Sequence, residues 1–136
     1  MKINAYLAFD GNCREAFTFY QKVLGGQIVA MMTAEGTPMA DQVPPEYVNK
    51  IMHARLIAGD SVIMGSDAMC TPSKPAGFTV SVTLDDVDEA RRIFEGISEG
   101  GTVSMPFGET FWAKGFGMCK DRYDIDWMVN CSKPMP

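Results

Sequence analysis

The chain has one histidine, no CxxC pair, no cluster of basic residues and no long apolar run in its 136 residues. Each absence excludes something. The four cysteines, Cys13, Cys70, Cys119 and Cys131, stand far apart. With only His53 to add, they cannot supply the close ligand pairs of a structural zinc site. Four reduced, mostly buried thiols are expected instead. Cys13 is the exception to follow, because a thiol in the first turn of a helix has its pKa lowered by the helix dipole and becomes more reactive. Twelve Lys and Arg are scattered among 17 Asp and Glu, for a net charge of −5. That balance argues against nucleic acid or an anionic membrane as partner. No apolar run approaches the ~20 residues of a membrane span. The start, MKINAYLAFDG, is patterned like a strand rather than like the apolar core of a signal peptide, so the expected location is the cytoplasm. With 46% hydrophobic and 21% charged residues, one globular domain with a sizeable core is expected.

What is present is a repeat. AYLAFDGNCREAFTFYQKVLGGQIVAM, near the start, is answered by TVSVTLDDVDEARRIFEGISEGGTVSM. A slide of 74 residues places Ala5 on Thr79, Asn12 on Asp86, Glu15 on Glu89 and Tyr20 on Phe94. One inserted residue then aligns Gly25-Gly26 with Gly100-Gly101. Asn12 and Asp86 stand as helix N-caps with Glu three positions on, the reciprocal capping arrangement. Ala16, Tyr20, Val23 and Leu24 recur at helical spacing, as do Val87, Ala90, Phe94 and Ile97. The glycines then end each helix.

Strands follow. Residues 33–50 are rich in turn formers and polar, and read as a long loop or lid. IMHARLI and VIMGSD form a hairpin around AGDS. In the second half TVSMPFGE, FWAKGFGMCKD and IDWMVNCS are strands, the last two joined by DRYD. The pattern βαβββ thus occurs twice, as module 1 (1–69) and module 2 (78–136), joined by a Pro/Ser/Lys linker (70–77). The expected class is α+β, with paired βαβββ modules forming a concave mixed sheet.

FDGNCREAFTFYQKVLGG, HARLIAGDSVIMGSDA and ETFWAKGFGMCKDRYDIDWMVN, in that order, resemble the vicinal oxygen chelate superfamily of glyoxalases, bleomycin-resistance proteins and extradiol dioxygenases. The resemblance covers essentially the whole chain and is closer to the PhnB-like branch. It implies a ligand cleft between the modules and pairing of chains, usually as homodimers. Relatives in that branch often carry a methyltransferase label, but no glycine-rich nucleotide loop follows the first strand. Metal-dependent members hold the ion on the first and last strand of each half. Carried onto this chain, those positions are Ala5, Met64, Thr79 and Met128, none of them His, Glu or Asp. The resemblance therefore implies no metal and no other cofactor here.

Cavity-lining residues follow from hairpin register. With a two-residue loop, Met64 lies opposite Arg55 and Ser66 opposite His53, on one face. By the same alternation Ala5, Leu7 and Phe9, then Thr79, Ser81 and Thr83, then Asp126, Met128 and Asn130 face the cleft. Trp127 points to the helix side. Phe111, Trp112 and Phe116, beside Glu109, are expected at the mouth, with Asp67 at a strand end. His53 is either an acid–base or anion-binding group or a structural one. Arg55 holds an anion or pairs with a neighbouring acid. Glu109 is a general base if desolvated and a solvated loop carboxylate otherwise. The expected function is a metal-free binder of a small molecule in the cleft, where the acidic balance favours cationic ligands. The alternatives are a metal-independent enzyme using His53 and Glu109, or a metal enzyme using His53, Glu109 and Asp126.

Overall fold

Each half of the chain folds as strand, helix and three strands. The structure, a computed structural model, describes residues 1–67 and 76–133. Cys70 and most of the 70–77 linker lie outside the described residues. The chain divides into two units, Met1–Ser73 and Lys74–Pro136. In the first, β1 (Ala5–Phe9), α1 (Cys13–Leu24), β2 (Gln27–Thr33), β3 (Ile51–Ala58) and β4 (Ser61–Asp67) build a sheet of order β1-β4-β3-β2. In the second, β5 (Val80–Thr83), α2 (Val87–Ser98), β6 (Thr102–Gly108), β7 (Ala113–Lys120) and β8 (Asp126–Ser132) repeat the order as β5-β8-β7-β6. The outer pairs β1·β4 and β5·β8 are parallel and the rest antiparallel. The expected α+β class and paired modules are what the chain adopts.

Each helix covers one face of its own sheet. Cys13, Ala16, Phe17, Tyr20 and Val23 form the buried stripe of α1, and Ala90, Ile93, Phe94 and Ile97 that of α2. Both sets recur at three- and four-residue intervals, so burial of one face drives helix formation. Leu7 and Phe9, with Ala54 and Leu56, complete the first core, and Trp127, Val129 and Cys131 the second. Gly25 and Gly100 take positive φ just past the helices. Their neighbours Gly26 and Gly101 lie so close to the carbonyls of Ile57 and Lys120 that a Cβ would collide with them.

The two helix starts differ. Asp86 caps α2 as expected, accepting from the amides of Asp88 and Glu89 at 2.9 and 3.2 Å. Glu89 pairs with Arg92 instead of reaching back. Asn12 makes no side-chain cap bond. Asp67, at the end of β4, accepts from the Cys13 amide at 3.0 Å and from the Ile51 amide at 2.8 Å. Cys13 is the first residue of α1 but is fully buried. Burial, with the Asp67 charge next, pushes its thiol up to about 12, so the expected reactivity does not arise. Cys13, Cys119 and Cys131 are unpaired, buried thiols.

Residues 33–50 are more structured than their polarity suggests. Two short 3₁₀ helices, Pro38–Gln42 and Pro45–Tyr47, fold back so that the Glu35 amide donates to the Val48 carbonyl at 3.0 Å. Ala34 and Val43 are buried beneath them.

Candidate functional site

The face of each sheet turned away from its helix carries the side chains free to meet a ligand. In the first sheet, β3 and β4 join through Gly59-Asp60, with Ala58 paired to Ser61. That register sets Arg55 opposite Met64, as expected, and β1 adds Tyr6 beside Met64. A row Tyr6–Met64–Arg55–Ala30 crosses the sheet. His53 and Ser66 lie on the same face, with Met32 paired to His53. The Tyr6 ring reaches across β4 to stack on the imidazole, centroids 5.8 Å apart, with its hydroxyl 3.2 Å from His53 Nδ1. Arg55 is exposed and makes no ion pair or hydrogen bond with a described residue.

In the second sheet the corresponding row is Ser81–Met128–Met118–Met105. Thr79 and Thr83 follow the alternation of Ser81 onto this face. Phe116 pairs with Asn130, and Trp112 meets Phe116 edge-on at 5.3 Å, with Phe111 edge-on to Trp112 at 4.8 Å. Phe111 is almost wholly exposed and Trp112 is 43% exposed. Asn130 Nδ2 donates to Ser132 Oγ at 2.8 Å, while its Oδ1 is buried without a partner among the described residues.

The placements expected on β1 and at Asp67 change. Phe9 does not face the open side: it is 3% exposed and packs against Phe17 and Tyr20 of α1. The cause is register. The helices start 74 residues apart, and three residues precede each of them, 10–12 and 84–86, but Leu7 matches Val82 in facing, 75 residues on. A one-residue slip turns a strand over, so Tyr6 and Ala8 face outward where Ala5, Leu7 and Phe9 were expected. Asp67 is likewise removed from the open face, being 6% exposed and committed to two backbone amides. Glu109 is a solvated carboxylate, its side chain 70% exposed and 3.0 Å from Lys133 Nζ.

One feature had no sequence signal. A cavity of about 460 Å³ opens where β2 runs into the folded loop, lined by Met32, Thr33, Ala34, Glu35, Thr37 and Met52. Its size suits a small organic molecule. None of the residues expected to bind a ligand lines it, but Met32, the strand partner of His53, does.

The superfamily's divalent centre is not matched by these residues. The outward positions of the first and last strands carry Tyr6 with Met64 and Ser81 with Met128. Phenol, hydroxyl and two thioethers do not make a site for a divalent cation that takes imidazole and carboxylate. Among the described residues no group of three or more His, Cys, Asp or Glu side chains is placed to hold an ion. Asp126 is engaged by Lys120 at 3.3 Å, as Glu109 is by Lys133.

Fold, repeat and strand order together define a known class, and the chain belongs to the Glyoxalase/Bleomycin resistance protein/Dioxygenase superfamily, whose family model matches residues 2–129. It is similar to Protein YjdN of Escherichia coli, 36% identical over 150 residues, spanning 100% of this chain and 99% of that protein. It is also similar to the solved structure of protein PA1353 from Pseudomonas aeruginosa, at 43% identity and a TM-score of 0.89 over 98% of this chain and 99% of that one. The fold is shared with the PhnB protein from Bacillus cereus described as a putative 3-demethylubiquinone-9 3-methyltransferase, at 24% identity and a TM-score of 0.79 over 96% and 98% of the chains. No helix among the described residues is long and apolar enough to cross a membrane.

Proposed function

We infer that this chain is a small-molecule-binding member of the superfamily that works without its divalent metal and takes its ligand on the open sheet faces. The observation that carries the reading is the pairing of Tyr6 with Met64 and of Ser81 with Met128. A thioether and a hydroxylated partner stand in each half where metal-dependent relatives need imidazole or carboxylate. On the first sheet Arg55 and His53 lie beside Met64, and on the second Phe116, with Trp112 against it, shares the face of Met128; each face offers the mixture of apolar surface and polar handles that suits a metabolite-sized ligand. A thermal-shift screen tests this: compounds that bind the native state raise the melting temperature by mass action. A diverse library that moves nothing would end the reading. So would about one tightly held zinc, nickel, manganese or iron per chain after growth in supplemented medium.

The contact of Tyr6 with His53 Nδ1 at 3.2 Å favours one second reading, metal-independent acid–base catalysis at His53. Glu109 adds little to it, because its carboxylate is exposed and engaged by Lys133. Loss of turnover in His53→Ala at an unchanged melting temperature would support it, and turnover that survives would remove it. A methyltransferase is not part of either reading, since Asp10-Gly11-Asn12 after β1 is no glycine-rich cofactor loop. A homodimer is part of the first, and light scattering on the eluting protein measures it directly.

A further inference from the structure

We propose that the open face of the first sheet is an oxyanion site, where Arg55 and His53 hold the carboxylate or phosphate group of a small ligand. This rests on the small-molecule reading above and names the chemistry of the ligand. Strands β1 to β4 contain a single carboxylate, Asp67, and it is buried toward α1. The face away from α1 therefore presents Arg55 and His53 with no acid of the sheet to neutralise them. In a chain of net charge −5, this is a local reversal of sign. A guanidinium left exposed and unpaired is a fork of N–H donors matched to two oxygens of one anion.

His53 stands two residues before Arg55 on the same strand, so the two side chains rise about 6.6 Å apart from one surface. The Tyr6 hydroxyl engages Nδ1 at 3.2 Å, which leaves Nε2 as the ring nitrogen open to a ligand and a second donor wherever it carries the proton. Tyr6 acts as a positioning residue, holding the ring by stacking and by that bond. Apolar surface adjoins the donors: Met64 is the strand partner of Arg55, and Met32, partner of His53, leads into the 460 Å³ cavity. The acid at that cavity, Glu35, is exposed and lies on the loop after β2 rather than on the sheet. A ligand is thus oriented with its anionic end toward Arg55 and its body over the methionines.

The experiment uses the intact chain, whose single histidine gives one set of imidazole resonances in proton NMR. Inorganic phosphate and benzoate are titrated separately at fixed pH and ionic strength. A saturable shift of the His53 signals with phosphate alone, benzoate alone or both is expected, and it tells which oxyanion the site prefers. Arg55→Gln weakens binding tenfold or more, and Arg55→Lys, which keeps the charge without the fork, weakens it less. Arg14→Gln on α1 leaves it unchanged. Signals that stay still with both anions overturn the proposal, as does an Arg55→Gln protein, folded by its melting curve, that binds as tightly as wild type. If neutral compounds raise the melting temperature while both anions leave His53 unmoved, the oxyanion assignment fails alone. If nothing stabilises the protein, the small-molecule reading fails with it.

Discussion

Asp67 Oδ1 accepts the backbone amide of Cys13, 54 residues earlier in the chain, at 3.0 Å. Its other oxygen takes the Ile51 amide at 2.8 Å. One buried carboxylate thus ties the start of α1, the start of β3 and the end of β4. Losing it strands two buried donors, so Asp67→Ala should cost about 2–4 kcal/mol. Asp67→Asn should cost about 1–3 kcal/mol, because its amide nitrogen faces one of the two N–H groups. Urea unfolding measures both, and a loss within error for either variant would mean that water or Asn12 replaces the cap.

That contact shows where sequence reading stops. The βαβββ repeat was legible because apolar spacing and Gly-Gly stops mark each half independently. The facing of His53, Arg55 and Met64 was legible because a two-residue hairpin loop leaves one register. Phe9 was misread because the facing of β1 was taken from the ligand position carried onto Ala5, whereas Tyr6 is the residue that pairs with Met64. Tyr6 was missed for the same reason. Asp67 offered no signal, since nothing local distinguishes a distant cap from a strand-end turn. The cavity beside Met32 depends on how a polar loop buries Ala34 and Val43, which hydropathy does not reveal.

Two thiols give a pH dependence of definite sign. Burial is the main cause that pushes Cys13 up to about 12 and Cys119 up to about 11, from 9.0. The folded chain then keeps protons that the unfolded chain releases. Their contribution to stability is complete below pH 9 and is lost as pH rises toward 11 and 12. Stability should therefore decline above pH 9, and the Cys13→Ala, Cys119→Ala double variant should decline less steeply. Peptide mapping after iodoacetamide at pH 8 should find both residues intact in native protein and modified after denaturation. Alkylation of native Cys13 would contradict its burial.

Glycines on the helix-covered faces make room for aromatic rings. A Cβ on Gly65 would lie 2.7 Å from the Leu7 carbonyl and 2.8 Å from the Phe17 ring, and one on Gly117 2.7 Å from the Phe94 ring. Overpacking of this kind costs about 1–3 kcal/mol. Gly65→Ala and Gly117→Ala should each lower the melting temperature. Gly108→Ala, with nothing within 4 Å of its added carbon, should leave it nearly unchanged. Equal effects at all three positions would show that strand entropy rather than packing decides.

Trp112 separates a ligand role from a structural one in the second sheet. The residue is 43% exposed and its ring leans on Phe116, so truncation removes only part of the area a core Trp would bury. Trp112→Ala should cost about 1–3 kcal/mol. A buried Trp127, by contrast, donates to Asp121 Oδ2 at 2.8 Å and fills the core under α2, so Trp127→Ala should cost about 3–5 kcal/mol. For a ligand that stacks at Trp112, the thermal shift it gives to wild type should shrink or vanish in Trp112→Ala, measured from that variant's own ligand-free melting temperature. A full shift in that variant, seen for every ligand the screen finds, would place binding elsewhere and leave Phe111 and Trp112 as an exposed aromatic pair. A shift lost in Trp112→Ala but kept in Arg55→Gln would assign that ligand to the second sheet alone and leave the first sheet's face to other ligands.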